Sequence, residues 1–197
     1  MIYQMTAFVS TRVKRAVLNL RAGLVMTDSQ LIDLARAGDG DAFGELLKRH
    51  QDFVYRLAYG YLRDSDGAKD ITQEVFLKAY TVLPYFRTGN SFPGWLFKIC
   101  KNQCLNLLRR QKLENATEIE NPGAVCQDEA LRLRVQKLIG RLPADYQDVI
   151  ILRYYDNLKY DQIAVILGVN IGVVKVRLHR ARQMLKNLAG DIYDEML

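Results

Sequence analysis

Apolar residues recur every three or four positions along most of the chain, and the strict alternation typical of half-buried strands is absent. This pattern predicts an all-α protein. In the first half of the chain we expect a helix that Asp28 and Ser29 cap and three helices after it. These four helices are expected near 30–37, 41–62, 68–82 and from 93 onward. Pro84 and Gly89 interrupt the chain before the fourth helix, and Pro93 suits its first turn.

The second half carries the same periodicity after an irregular stretch. Helices are expected near 129–140, 144–155, 160–167 and 171–188. The stretch 113–128 lacks helical periodicity, contains Pro122 and Gly123, and has four acids and no base. Such a segment is expected to be extended and mobile. The sequence therefore predicts two small helical domains, 28–112 and 129–190, that a flexible acidic linker joins, with an acidic tail at 191–197.

Composition adds a partner class to this picture. The chain has 197 residues, of which 49% are apolar and 25% charged, and 28 bases against 22 acids give a formal charge of +6. A basic excess favours a polyanionic partner. No apolar run reaches the roughly 18 residues of a membrane span. Three cysteines and two histidines disfavour a disulfide framework or a histidine-rich metal site, and they fit a reducing compartment.

Residues 1–27 form an extension of a different character. They contain four bases and no acid. We expect an unstructured extension here, and a basic amphipathic helix on a membrane surface is the alternative. A secretory signal fits less well, since no uninterrupted apolar core precedes a cleavage site.

The segment 160–186 has the spacing of a helix-turn-helix. Ala164 is small where two helices must cross, Gly168 tolerates the tight turn, and Asn170 can cap the next helix. In that next helix one apolar stripe consists of Val174, Leu178, Ala181, Leu185 and Leu188. The bases that lie off the stripe are Lys175, Arg177, Arg180, Arg182 and Lys186, with no acid from 171 to 190. One face is therefore expected to pack and the other to meet DNA phosphates, although a solvated cationic face has the same pattern.

A second nucleic-acid pattern covers 86–112. Its aromatic residues are Phe86, Phe92, Trp95 and Phe97, and from 91 to 112 it carries five bases and no acid. Aromatic rings stack on unpaired bases, each worth roughly 1–3 kcal/mol, while cations hold the strand, so the segment suits single-stranded DNA. The alternative is that these rings belong to the core. Trp95 and Phe97 cannot share one helix face, so at least one is expected to be buried.

A third stripe lies on the predicted helix 68–82. Its members are Asp70, Gln73, Glu74, Leu77 and Lys78, whereas Ile71, Val75 and Ala79 turn toward the core. A mixed stripe of this kind can dock a protein partner, and a solvated face has the same pattern. Cys100 and Cys104 lie one helical turn apart, but two thiols without further ligands make a poor zinc site. No set of nucleophile, base and orienting group is found, so no catalytic residue, metal or cofactor is expected.

Taken together, these segments resemble the extracytoplasmic-function group of bacterial RNA polymerase sigma factors over about residues 28–188. The stretch Asp70-Ile-Thr-Gln-Glu-Val-Phe-Leu-Lys78 resembles the group's core-binding helix. Phe92-Pro-Gly-Trp-Leu-Phe-Lys-Ile99, with Asn102, resembles its promoter-melting segment, and Leu142 through Arg182 resembles its promoter-reading domain.

The resemblance implies roles for individual residues. Core polymerase would be bound by Asp70, Gln73, Glu74, Phe76, Leu77 and Lys78. The minus-ten element would be bound and melted by Phe86, Arg87, Thr88, Gly89, Asn90, Ser91, Trp95, Lys98, Lys101 and Asn102. The minus-thirty-five element would be read by Asn170, Gly172, Val173, Lys175, Val176, Arg177, His179, Arg180 and Arg182.

The resemblance also implies partners and a location. These are core RNA polymerase, promoter DNA and an anti-sigma factor, with no small-molecule substrate. The expected location is the cytoplasm, with sequestration by the anti-sigma factor at the inner face of the membrane as one form of control. The acidic linker would thread polymerase near its active centre.

The sequence departs from the group's pattern at a few positions. Lys159 stands where a serine cap is frequent, Asn106 where aspartate is frequent, and Val173 and Val176 where small hydroxyl residues are common. The valines suggest contact with thymine methyl groups. Two other functions stay open at this point: an ordinary helix-turn-helix regulator whose first domain senses or dimerises, and a thiol switch or enzyme that uses Cys100 and Cys104.

Overall fold

The structure, a computed structural model, describes residues 26–87, 89–115 and 127–194. Within these ranges it contains eight α-helices and one 3-10 turn, and no strand. The helices are α1 (Asp28–Arg36), α2 (Gly40–Leu62), α3 (Ser65–Val82), α4 (Phe92–Asn115), α5 (Gln127–Gly140), α6 (Ala144–Tyr154), α7 (Tyr160–Leu167) and α8 (Ile171–Asp194), and the 3-10 turn is Leu83–Tyr85. The all-α prediction is confirmed.

Several boundaries differ from the sequence prediction. Thr27, rather than Asp28 or Ser29, caps α1: its hydroxyl oxygen accepts the Gln30 N–H at 3.4 Å, and the Gln30 side chain accepts the Thr27 N–H at 2.9 Å. Asp64 accepts the N–H groups of residues 66 and 67, so α3 begins earlier than predicted.

The expected linker and tail are partly helical. Residues 113–115 end α4, residues 127 and 128 begin α5, and α8 continues into the expected tail as far as Asp194. No proline interrupts the chain at these three points, so each helix can continue past its predicted boundary. Residues 1–25, Thr88, 116–126 and 195–197, which include most of the predicted extension and linker, lie outside the described residues.

The packing divides the chain into two compact units, one that ends at Leu46 and one that begins at Leu47. In the first unit α1 and the start of α2 bury six apolar residues: Leu31, Ile32, Ala35, Ala42, Phe43 and Leu46. In the second unit we distinguish an N-terminal module (47–115) and a C-terminal module (127–194). Fully buried side chains of the N-terminal module include Val54, Leu57, Val75 and Leu96, and those of the C-terminal module include Val149, Ile151, Leu152, Ile163, Val174 and Leu178.

The two modules of the second unit pack against each other at very short range. A Cβ atom placed on Gly94, in the first turn of α4, would lie 2.7 Å from the carbonyl oxygen of Ile166 on α7. A Cβ atom on Gly60 would lie 2.7 Å from a methyl group of Ile151 on α6. Glycine is therefore needed at both positions for the helices to approach this closely.

Helices α7 and α8 form the predicted helix-turn-helix. Their axes are bent by 103° at the break between them, and Gly168 in that turn has a φ of 68°. The Asn170 side-chain oxygen accepts the Gly172 N–H at 2.7 Å, as the capping prediction requires. Within the described part of the chain, no single helix is long and apolar enough to cross a membrane; α7 and α8 reach that length and hydropathy only as this bent pair.

We expect Gly94→Ala to destabilise the protein, because its methyl group would meet a backbone carbonyl that cannot rotate away. The expected loss in free energy of unfolding is about 1–3 kcal/mol, measured by urea denaturation. Gly44→Ala is the matched control: a Cβ atom there meets open space in the second turn of α2, and the variant should stabilise by up to about 1 kcal/mol. Equal stabilisation by both variants would contradict the close approach of α4 and α7.

Candidate nucleic-acid interface

The first three residues of the apolar stripe of α8 are buried as predicted, Leu185 and Leu188 are half-buried, and the opposite face is open. Val174, Leu178 and Ala181 are buried. The exposed face carries six of the predicted DNA contacts: Gly172, Val173, Lys175, Val176, His179 and Arg180. Val176 is 50% exposed, and Ile171 and Val173 in the first turn of α8 are also exposed. The open face therefore combines cations with apolar side chains, which suits contact with both phosphates and thymine methyl groups.

Three other predicted contacts on this element already have partners within the module. The Arg177 guanidinium donates to the Asp145 carboxylate of α6. Arg182 Nε donates to the Tyr154 hydroxyl at 2.8 Å. The side-chain oxygen of Asn170 accepts the Gly172 N–H and so caps α8. The two arginine partners lie on α6, about thirty residues earlier in the chain, and helical periodicity gives no signal for such pairs.

The missing serine cap at Lys159 is replaced in part by Gln162. Its side-chain oxygen accepts the Lys159 N–H at 2.8 Å. This is the backward half of a capping box, in which the third helical residue satisfies the N–H of the capping residue. Helix α7 therefore begins at Tyr160 without a hydroxyl cap.

The aromatic residues at the start of α4 form one cluster. The ring centroids of Phe86, Phe92 and Trp95 lie 5.1–5.7 Å apart, and the His50 ring lies 5.2 Å from that of Phe92. Phe86 is only 5% exposed, Phe92 and Phe97 are also buried, and Trp95 is half-buried. Trp95 is thus the ring among these three that keeps accessible surface, and Phe86 packs beside it.

The loop before α4 presents polar groups. Arg87, Gly89 and Asn90 are exposed, and Thr88 lies outside the described residues. Gly89 has a φ of 102°, a conformation that favours glycine. Ser91 is half-buried, and its hydroxyl oxygen accepts the Gly94 N–H at 3.2 Å. Along α4, Lys98 and Asn102 are exposed.

Lys101 differs from its neighbours because the C-terminal module holds it. Its ammonium group donates to one oxygen of the Asp148 carboxylate at 2.6 Å. The other oxygen of Asp148 accepts the Tyr61 hydroxyl at 2.7 Å. The side chains of Lys101 and Asp148 are 20% and 7% exposed. Burial and the adjacent carboxylate raise the pKa of Tyr61 well above its usual range, so the hydroxyl stays a donor.

A second carboxylate joins the modules at Asp156. Arg56 Nε donates to one of its oxygens at 2.7 Å, and its other oxygen has no hydrogen-bond partner. Burial raises the pKa of Asp156 to about 6, and Arg56 opposes that rise. Nearby, the Arg63 guanidinium lies 4.1 Å from the centre of the Tyr155 ring. Sequence reasoning assigned no role to Asp148 on α6 or to Asp156 just after it, because a single acid beside apolar residues resembles any solvated residue.

The stripe on α3 is exposed as predicted. Asp70, Gln73, Glu74 and Lys78 are exposed and Leu77 is 70% exposed, while Phe76 is buried beneath them. Tyr80 and Tyr85 extend the apolar surface beyond the stripe that the sequence indicated. Exposed apolar side chains next to charges are typical of a protein interface.

The paired thiols lie in the core. The sulfur atoms of Cys100 and Cys104 are 4.0 Å apart, and both residues are fully buried. The contact with Cys104, together with burial, raises the pKa of Cys100, which disfavours the reactive thiolate. Among the described residues, no group of three histidine, cysteine or acidic side chains could hold a metal ion.

Comparison with known proteins gives matches across both modules. The family "Sigma-70 region 2" matches residues 46–114, and "Sigma-70, region 4" matches residues 132–185. The ECF RNA polymerase sigma factor SigW of Bacillus subtilis is 31% identical over 179 residues, which cover 82% of this chain and 96% of that protein.

Two solved structures share the fold. One is CnrH in complex with the cytosolic domain of CnrY, with a TM-score of 0.58, 25% identity, and 83% of this chain and 97% of that chain covered. The other is the sigma factor RpoE in complex with the anti-sigma factor NepR from Bartonella quintana, with a TM-score of 0.52, 25% identity, and 75% and 96% covered.

We expect the stability difference between the wild-type chain and Asp156→Asn to depend on pH. Because folding raises the pKa of Asp156 from its usual 3.8 to about 6, its contribution is present below pH 4 and is lost as the pH rises through 6. Relative to the variant, the wild-type free energy of unfolding should fall by up to about 3 kcal/mol between pH 4 and pH 7. Urea denaturation at both pH values measures this, with the exposed Asp161→Asn as control. A difference that does not change with pH would contradict the burial of this carboxylate.

Proposed function

Because the chain belongs to the extracytoplasmic-function group of RNA polymerase sigma factors, we propose a division of labour between its modules. The C-terminal module reads the minus-thirty-five element, and the N-terminal module opens and holds the minus-ten element. Core polymerase carries out the synthesis, so the chain itself has no catalytic site. The proposal includes the sequence-derived boundaries 28–112, 113–128 and 129–190 for the first domain, the linker and the second domain.

The open face of α8 supports the first assignment. Lys175, His179 and Arg180 are exposed near Val173 and Val176. Cations of this kind bind phosphates and set the register, while apolar side chains discriminate bases that carry a methyl group. Arg177 and Arg182, which have partners on α6, are assigned a supporting role unless DNA displaces those partners.

The aromatic cluster supports the second assignment. Trp95 offers a ring to an unpaired base, and Lys98 and Asn102 continue along the same helix. Phe86 and Phe92 are buried beside it, so we assign them the task of fixing its position. The loop residues Arg87, Thr88, Gly89, Asn90 and Ser91 would receive a base that leaves the duplex, at a cost of a few kcal/mol for unpairing.

The exposed stripe of α3 supports docking on polymerase. Leu77 and Tyr80 place apolar surface next to Asp70, Gln73, Glu74 and Lys78. Truncation of a residue at the centre of such a patch commonly removes much of the binding energy. Phe76 lies beneath the stripe and would support its shape.

We propose an anti-sigma factor as the second protein partner, and the cytoplasm as the site of action. A relative of the same fold was solved with an anti-sigma factor, and another with the cytosolic domain of a second protein. Such a partner would prevent binding to polymerase, and where it is anchored in a membrane it would hold the chain at the inner face.

We expect promoter-specific transcription when the purified chain is added to core polymerase, and a loss of about tenfold or more with Glu74→Arg. The reversed charge would lie in the middle of the exposed stripe of α3. There it would weaken both the electrostatic and the apolar contacts with polymerase. Run-off transcription on a promoter library is the measurement. Asp52→Arg is the matched control, because it makes the same charge change at an exposed site of α2.

Equal transcription by both variants would contradict docking through α3. If the chain did not stimulate core polymerase and instead bound a palindromic duplex as a dimer, it would act as an ordinary helix-turn-helix regulator.

We expect Lys175→Ala and Val176→Ala to affect promoter binding by holoenzyme in different ways. Loss of the Lys175 cation should weaken binding to all sequences and reduce the salt slope by about 1. Loss of the Val176 side chain should change sequence preference and leave the salt slope unchanged. Filter binding of minus-thirty-five variants at several salt concentrations measures both. Identical effects of the two variants would contradict the assignment of α8 to the groove.

A further inference from the structure

Helix α8, which carries the open cationic face, is joined to α6 by an ion pair. The Arg177 guanidinium on α8 donates to the carboxylate of Asp145 in the first turn of α6. The Asp145 side chain is 60% exposed, whereas that of Arg177 is only 23% exposed. The group that solvent meets at this edge of α8 is therefore mainly the acid rather than the base.

This acid differs in sign from the surface beside it. Lys175 and Arg180 are exposed on α8, and no acid occurs from 171 to 190. A carboxylate next to these cations repels phosphates. It also occupies the Arg177 guanidinium, because carboxylate and phosphate oxygens accept the same kind of charge-assisted hydrogen bond. Arg177 can therefore bind a phosphate only when its contact with Asp145 is broken.

A second contact between α6 and α8 has a different electrostatic effect. Arg182 is exposed, and its Nε donates to the Tyr154 hydroxyl at 2.8 Å. Because a hydroxyl is neutral, this contact positions the guanidinium without cancelling its charge. Of these two arginine contacts, the one with Asp145 is the one that neutralises a cation of α8.

We propose that Asp145 restrains the binding of α8 to non-promoter DNA, because it withholds the Arg177 charge from phosphates. The inference rests on the proposed function and adds a repulsive element to the same surface. Phosphate contacts are the same for every sequence, whereas base contacts differ between sequences. A carboxylate that removes one phosphate contact therefore weakens binding to any duplex and leaves the base contacts intact. Specificity commonly needs a repulsive element of this kind.

The test is binding of a short, fluorescent, random-sequence duplex to the free full-length chain, followed by anisotropy at several salt concentrations. Asp145→Asn keeps the size of the side chain and removes the charge that holds Arg177. We expect about fivefold tighter binding at low salt and a salt slope steeper by about 1, as one further phosphate contact requires. Asp145→Ser removes the same charge and should show the same gain. Asp145→Glu keeps the charge and should stay within about twofold of the wild type.

Two further variants separate release of Arg177 from net charge and from loosened packing. Asp66→Asn makes the same change in net charge at an exposed ion pair with Lys69 of the N-terminal module, and it should leave the affinity within about twofold of the wild type. Tyr154→Phe removes the acceptor of Arg182 without a change of charge, so it should leave the salt slope unchanged.

The dependence on Arg177 is measured in a double variant. When Arg177→Gln is already present, Asp145→Asn should tighten binding by less than about twofold, because the cation that it would release is absent. Circular dichroism of every variant checks that the helices are retained.

Tighter binding and a steeper salt slope in Asp145→Asn, together with loss of this gain in the Arg177→Gln background, would support the proposal. It would be overturned if Asp145→Asn and Asp145→Ser bound no more tightly than the wild type, or if Asp66→Asn or Tyr154→Phe gained as much. Lys175→Ala shows which assignment such a result concerns. If Lys175→Ala weakens duplex binding, α8 still faces DNA and the role of Asp145 alone is lost. If it does not, the assignment of α8 to promoter DNA is lost as well.

Discussion

The carboxylate of Asp148 is the contact on which the arrangement of the second unit depends. A buried charge is costly unless both of its oxygens find donors, and here a lysine of α4 and a tyrosine of α2 supply them. This requirement fixes α6 against two helices of the N-terminal module. The same placement of the modules brings Ile151 close to Gly60 and Ile166 close to Gly94. At each glycine an added Cβ atom would lie 2.7 Å from its nearest neighbour. Without the two donors, the burial of Asp148 would oppose the packing of the modules.

The same contact links the fold to the proposed activity. The proposed function assigns Lys101 to the melted strand, and in this structure its ammonium group is bound to Asp148. The α8 face and the α3 stripe are exposed in the same structure. The two surfaces that the proposed function assigns to duplex DNA and to polymerase are therefore open in this structure.

Features set by local periodicity could be predicted from the sequence. The buried stripe of α8, the Gly168 turn, the Asn170 cap and the exposed face of α3 all follow from residues within one or two helical turns of each other. The contacts that the sequence did not reveal join distant positions: Asp148 meets residues 47 and 87 positions away, and Arg177 meets Asp145. Phe86 was expected to face DNA and is buried, because hydrophobicity does not distinguish a stacking ring from a supporting one. Family resemblance supplied the roles of the surfaces, which periodicity alone left open.

The central claim is that the carboxylate of Asp148 holds the two modules of the second unit together. Energy transfer between fluorophores attached at the exposed residues Asp52 and Lys186, one in each module, tests this directly. The account predicts efficient transfer in the wild-type chain and a clear fall in Asp148→Ala, which leaves Tyr61 and Lys101 without their acceptor. Transfer that stays as efficient in Asp148→Ala as in the wild type would contradict it.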